Sequence, residues 1–376
     1  MYKTITAQEL KDRLDQNPET IILDVRGESA FSDWHIDHKH AHLVNIQTSK
    51  LKVNGPAAYP EIPTDRPVVV VCARGNASRE ASAILAENGY EPLNLDGGMQ
   101  EWSEFYYPVT VTKSDDFELL QVIRPAKGCL SYMLVSNGEA IVVDPARHTD
   151  VYKDLAREKG AVVKHVLDTH CHADHVSGAL ALANATDARY WIDAGEMQSS
   201  PLEYQALKDG LEFEFGTSRL KVLSIPTPGH TPGSMSFMVN DAYLLSGDTV
   251  FVSGLGRPDL GGKAEEWARL LYETVENKLR HLGDNVLILP AHFSSASEIT
   301  AAGYVGARFE EIRNTNELLQ GVGETEFTEA VAGRAGQTPP NYETIVQINR
   351  GFATPTTEEI AELETGPNRC AVKHLA

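Results

Sequence analysis

Apolar residues are spaced in two distinct ways along the N-terminal part of the chain. In TAQELKDRL they fall three and four positions apart behind a threonine, which predicts a short amphipathic helix with a Thr cap. TIILDV reads as a buried strand, and VVVVC (68–72) is a fully apolar run, the pattern of a strand buried on both faces. The second run leads directly into ARGNAS and then SREASAILAENG, a helical segment closed by Gly89. Strands alternating with helices predict a parallel α/β sheet with helices on both faces. LNLDGGMQEW finishes this unit. SEFYYPVTVTKSDD (103–116) has no helical period and ends in charge, so it reads as a linker. The boundary then falls near residue 112, giving one domain over 1–112 and another over 113–376.

Beyond that boundary LLQVI, LSYMLV and AIVVD are strand-like and are separated by KG and NG turn signals. VKHVLDTH, LKVLSIPTPGHTPG, MSFMVNDAYLLSGD and NVLILPAH continue the series, with an Ala-rich helix from about 176 to 185. Four of these strands run out onto side chains that can bind a metal: His170, His230, Asp248 and His292. Converging strand ends are where α/β folds assemble sites, because a rigid sheet fixes the geometry while loops supply the chemistry.

Composition narrows the classes of function. At 376 residues the chain exceeds one ordinary core, so two domains are the first expectation. A formal net charge of −20 argues against nucleic acid or an anionic membrane as partner, since phosphates would be repelled. An anionic small substrate would need a local cationic patch. No apolar run approaches the length of a membrane span, and MYKTITAQELKDR lacks the basic-then-apolar pattern of an export signal. Four cysteines without framework spacing (Cys72, Cys129, Cys171, Cys370) fit a reducing cytosol, so a cytoplasmic location is expected. Oligomeric state stays open, a homo-oligomer included.

The densest chemistry is THCHADHVSG (169–178). Imidazole and carboxylate are ordinary ligands of first-row metals, and the fold must bring sequence-remote ligands together. His170, His172, Asp174, His175, His230, Asp248 and His292 each sit at a strand end or in a tight Gly/Pro turn, which favours a metal centre. WHIDHKHAH (34–42) also clusters histidines, but Lys39 sits among them and no strand end organises them, so it reads as a solvated loop. Residue types alone leave open whether the centre holds one metal or two.

HCHADH together with PGHTPGS, SGD and PAH resembles the signature series of the metallo-β-lactamase fold, an αββα sandwich with its site at one edge. Glyoxalase II hydrolases and persulfide dioxygenases share all seven residue types. GDTVFVSGLGRPDL, PPNYETIVQINRG (339–351) and the tail GPNRCAV (366–372) are similar to segments of the persulfide dioxygenases. That resemblance implies that His170, His230 and Asp248 bind one Fe(II), a 2-His-1-carboxylate facial triad with open positions for O₂ and substrate. It makes His172, Asp174, His175 and His292 the residues that orient ligands and bound water. The glyoxalase II alternative gives these four to a second metal, with two zinc ions and thioester hydrolysis. Arg257 is expected to pair either with a substrate carboxylate or with Asp259.

Cys72 follows a buried strand and precedes a helix, so its sulfur is expected to face a helix N-terminus and a turn of backbone N–H groups. That environment favours a thiolate nucleophile, with Arg74, Gly75 and Asn76 around the substrate. ILDVR (22–26), WHI (34–36), VVVVCARGNAS (68–78) and LDGGMQEW (95–102) resemble a single-domain rhodanese, a sulfurtransferase. In place of that family's Cys-Arg-x-Gly-x-Arg, Ala73 and Ala77 stand at the arginine positions and Arg74 is shifted by one. Asp24 and Arg26 are expected to form a structural ion pair. Cys171 is expected to face the core and Cys129 to be a packed strand residue. The two resemblances together imply a bifunctional sulfur enzyme: O₂ oxidises a small thiol persulfide to sulfite and thiol, and Cys72 exchanges sulfane sulfur with thiosulfate or sulfite.

Overall fold

The computed structural model describes residues 2–258, 263–333 and 340–367, and they form two compact units. One takes the residues up to Tyr106 together with Arg124–Lys127 and Thr365–Pro367; the other takes Tyr107–Ile123 and Gly128–Glu364.

In the first unit β1 (Lys3–Ile5), α1 (Ala7–Gln16), β2 (Thr20–Asp24), α2 (Glu28–Asp33), β3 (Ala41–Asn45), α3 (Thr48–Asn54), β4 (Val68–Val71), α4 (Asn76–Glu87), β5 (Pro92–Leu95) and α5 (Gly98–Ser103) alternate. The five strands are all parallel, in the order β1-β5-β4-β2-β3. Thr6 caps α1 through a reciprocal box with Glu9, a device worth about 1 kcal/mol. The β4 run is unbroken because both sheet faces are covered. Val69 and Val71 join one core with Leu10 and Leu14, while Val68 and Val70 join another with Ala81 and Leu85. The Arg26 guanidinium grips the buried Asp24 carboxylate at 2.6 Å, the ion pair anticipated from the sequence.

The second unit begins at Tyr107, inside the stretch expected to be a linker. Part of the stretch read as a linker is β6 (Tyr107–Lys113), paired antiparallel with β7 (Glu118–Arg124). Its alternating β-branched residues are a strand signal, and Pro108 is tolerated because β6 lies at the sheet edge. Next come β8 (Cys129–Ser136), β9 (Glu139–Val143), α6 (Thr149–Glu158), β10 (Val162–Leu167), α7 (Ala179–Thr186), β11 (Arg189–Ile192) and β12 (Gln205–Ala206). These strands complete a seven-stranded sheet in the order β12-β11-β10-β9-β8-β7-β6. The second sheet holds β13 (Glu212–Phe215), β14 (Ser218–Pro226), β15 (Met235–Val239), β16 (Tyr243–Gly247), β17 (Leu287–Pro290) and β18 (Ala307–Arg308), in sequence order.

Helices α8 (Ala264–Asn277), α9 (Phe309–Thr315) and α10 (Glu324–Gly333) pack an apolar face on this second sheet, with Leu271, Phe309 and Phe327 against Leu244 and Ile288. Buried polar ties join the two sheets. Gln121 donates to the Val305 carbonyl at 2.8 Å, and Tyr132 donates to that of Pro290. Helices α11 (Pro340–Asn349) and α12 (Thr357–Leu363) follow. No described helix is long and apolar enough to cross a membrane.

Candidate functional site

The strand-end prediction holds in detail. His170 lies three residues past β10, His230 four past β14, Asp248 directly after β16 and His292 two past β17. All four are almost fully buried. His170, His230 and Asp248 each offer one ligand atom, and these atoms lie within 4.8 Å of one another.

The hydrogen bonds behind them fix which atoms face inward. Thr169 Oγ1 donates to Asp144 Oδ2 at 2.9 Å, so toward His170 it can only accept; His170 Nδ1 therefore carries the proton at 2.9 Å. His230 Nδ1 likewise donates to the Arg257 carbonyl at 2.9 Å. Both rings are thereby locked with a bare Nε2 lone pair. The two nitrogens stand 3.9 and 3.4 Å from Asp248 Oδ2. None of these three atoms has a hydrogen-bond partner. Each such buried, unsatisfied group costs about 1–3 kcal/mol, and a divalent cation among them would relieve all three. The residues fit a metal.

Ionisation agrees with that geometry. Burial, with His172 next to it, holds the His170 imidazole well below its ordinary pKa, and burial lowers that of His230. Burial pushes Asp248 upward, but His292, His230 and His170 outweigh it and keep the carboxyl below the usual carboxylate range. The site thus presents two neutral imidazoles and a carboxylate.

The other four candidates form a different kind of cluster. His292 Nδ1 lies 2.6 Å from Asp248 Oδ1, and its Nε2 is 2.9 Å from Asp174 Oδ2, an ion-pair contact off the hydrogen-bonding line. His175 Nδ1 contacts Asp174 Oδ1 at 3.0 Å. Although burial disfavours its cation, Asp174 and Cys129 raise His175 to about 10. His172 turns Nε2 to Asp144 Oδ1 at 3.2 Å and leaves Nδ1 unpaired, with its ring 4.3 Å from that of His170. Asp174, His175 and His292 are thus held together largely by their own charges, with Asp248 on His292 and Asp144 on His172.

Two residues at this site escaped the sequence reading. Cys129 is not merely packed in β8: its Sγ contacts Asp174 Oδ2 at 3.4 Å and joins Asp174, His175 and His292 in a group of metal-capable donors. A bridge between Cys129 and His292 brings it there, a pairing of distant strands that local pattern does not encode. Asp144 was the second omission. It accepts from Thr169 N at 2.7 Å, from Thr169 Oγ1 and from His172, and its φ of 52° marks a constrained backbone. Cys171 is buried as expected, and burial and Glu196 push its thiol up to about 12.

Arg257 is buried, and its carbonyl fixes the His230 tautomer. Asp259 and Cys370 lie outside the described residues. Gly256 lets this loop close in, since a Cβ there would meet the Asp248 carbonyl at 1.9 Å and His230 Cβ at 3.0 Å. The metal-capable groups found among the described residues leave out the histidines at 34–42, where His40 Nδ1 bonds the Leu14 carbonyl instead.

In the first unit Cys72 Sγ sits at the mouth of α4. Gly75 N–H donates to it at 3.1 Å, and Ser78 Oγ lies 3.3 Å away. Gly75, at φ 84°, turns the loop so that its N–H points back at the sulfur. The Cys72 carbonyl accepts from Met99 N at 2.8 Å, and a Cβ on Gly98 would strike that oxygen. Gly75 therefore touches the sulfur directly, whereas Arg74 and Asn76 are exposed beside it.

Residues 124–292 match the metallo-β-lactamase superfamily and residues 6–105 the rhodanese-like domain. The chain belongs to the metallo-β-lactamase superfamily and carries a rhodanese-like domain ahead of that module. Within the superfamily it is similar to the mitochondrial persulfide dioxygenase ETHE1 of Bos taurus, 31% identical over 46% of this chain and 67% of that one. It is also similar to the hydroxyacylglutathione hydrolase of Methylococcus capsulatus, 37% identical over 42% of this chain and 58% of that one. Among solved structures, ETHE1 from Myxococcus xanthus superposes with a TM-score of 0.53 at 25% identity, covering 62% of this chain and 97% of that one.

Proposed function

We propose that the second unit is an Fe(II)-dependent dioxygenase that converts a low-molecular-weight thiol persulfide, O₂ and water into the thiol, sulfite and two protons. The supporting observation is the pair of imidazoles locked with bare Nε2 atoms toward an unpartnered carboxylate oxygen. His170, His230 and Asp248 would hold the metal, a donor set that suits a non-haem Fe(II) with open positions. Iron bound there would supply a place for O₂ and the substrate's terminal sulfur to meet.

The chain's own residues do the positioning. Thr169 and the Arg257 carbonyl fix the two tautomers, and His292 restrains the second oxygen of Asp248. Cys72 would take sulfane sulfur from thiosulfate, releasing sulfite, and hold it as a persulfide anion stabilised by the Gly75 N–H. It would pass that sulfur to a small thiolate with return of the Cys72 thiolate, or run the same steps in reverse. The link between the two activities is chemical, because one domain handles the persulfide or sulfite that the other uses or makes.

The similarity to a hydroxyacylglutathione hydrolase and the Asp174, His175 and His292 cluster favour a second reading, a dinuclear zinc thioester hydrolase. It would use a metal-bound hydroxide. Incubating the iron-loaded and zinc-loaded protein with glutathione persulfide and with S-lactoylglutathione separates the two. The dioxygenase reading predicts O₂ uptake and sulfite with the first substrate only. Hydrolysis of the second without O₂ would overturn it.

A further inference from the structure

Residues 169–178 carry His170 and, beside it, His172, Asp174 and His175, yet belong to no helix or strand. Backbone groups in such a segment need partners from elsewhere. Asp144 serves the leading end, through Thr169 N and Oγ1. The trailing end is served by side chains far along the chain. Asn349, the last residue of α11, donates through Nδ2 to the His172 carbonyl at 2.8 Å and to that of His175 at 2.9 Å. Its Oδ1 accepts from Ser177 N at 2.9 Å. Glu364, just past α12 and 1% exposed, accepts from Val176 N at 2.7 Å and from Arg147 Nε at 3.1 Å. Asn341 ties α11 to the end of α12 through the Leu363 carbonyl at 2.6 Å, and Tyr342 packs on Ala173.

The pattern is specific to these side chains. Two carbonyls require two donors and Ser177 N–H requires an acceptor; a carboxamide meets all three in one orientation only. An aspartate would set a carboxylate against two carbonyls, and an alanine would leave three half-buried groups without this partner.

We propose that Asn349 and Glu364 are positioning residues of the metal centre: the C-terminal helices clasp the backbone of residues 172–177 and so hold the ligand loop in the geometry that binds metal. The inference rests on the metal reading of this site. Removing the clasp lets the loop spread, so affinity falls although no ligand has changed.

The test uses the full chain, metal-free, titrated anaerobically with Co(II) and followed by its visible absorption. Asn349→Ala and Asn349→Asp should weaken Co(II) binding by about 10–100-fold and alter the absorption band, at a temperature where circular dichroism shows the apoprotein folded. Amide exchange of Ser177 should quicken in both, while Gly178, whose N–H bonds the Pro145 carbonyl, should change little. Should Asn349→Ala fail to fold, Asn349→Asp and Glu364→Gln carry the same readouts. Unchanged affinity and band in variants whose Ser177 exchange has quickened would overturn the clasp and leave the metal reading intact. A wild-type protein that takes up no Co(II) would overturn the metal reading itself.

Discussion

The candidate metal centre and the cysteine loop are built from opposite materials. Around Cys72 the contacting groups are local and mostly backbone: the Gly75 N–H, which donates to the sulfur, the start of α4, and a Ser78 oxygen six residues on, which accepts from the thiol. Around His170 they are side chains gathered from four strand ends, and each is restrained by a second residue behind it. A backbone cradle tolerates side-chain change as long as the turn survives. A side-chain centre fails when one ligand or one orienting partner is lost.

That contrast sets the expected size of each perturbation. The largest comes from Asp248→Ala, which removes a ligand and leaves His292 Nδ1 without its carboxylate. Metal content and O₂ uptake should fall to background, while sulfur transfer from thiosulfate continues. Loss of transfer as well would mean that the two regions do not act independently. Cys72→Ser is the reciprocal change. It should abolish sulfur transfer yet leave O₂ uptake with added glutathione persulfide at the wild-type rate; unaltered transfer would assign the loop a docking or sensing role.

A smaller effect is expected behind the ligands. Asp144→Asn weakens the support of Thr169 and His172 without touching the three ligands, and should lower metal affinity by about 10–100-fold. An unchanged affinity would show that the His170 tautomer is set some other way.

The smallest lies away from both sites. His165 accepts from Trp191 Nε1 at 3.1 Å and sits among Trp191 and Phe213, and burial, with Arg189 adding to it, lowers its pKa from 6.5 to about 4. The unfolded chain takes up a proton that the folded one refuses. Its share of the stability is therefore intact above 6.5 and declines as pH falls toward about 4. His165→Phe should flatten that part of the stability–pH curve, read by urea midpoints; an unaltered slope would place the titration elsewhere.

How much of this was legible depended on distance along the chain. The helix starting at Thr6, the buried strands and the Cys72 turn are written in contiguous residues, and so is the placement of ligands just past strand ends. The β6 strand was readable in its alternating YPVTVTK and was passed over because it ends in charge. Cys129 and Asp144 were invisible for a physical reason. Each reaches the site through a contact made only after the strands assemble, with His292 in one case and Thr169 in the other. Asn349 stood inside a segment singled out by resemblance, but no local pattern says that a helix-terminal amide will grip a loop 172 residues away.

The proposed function makes two locked imidazoles and one carboxylate a single-metal, O₂-using centre. Metal content per chain, measured together with O₂ consumption on glutathione persulfide, decides between one iron and two zinc ions. One iron per chain and one O₂ consumed per sulfite formed is the predicted result. Two zinc ions per chain, with no O₂ consumed, would contradict it.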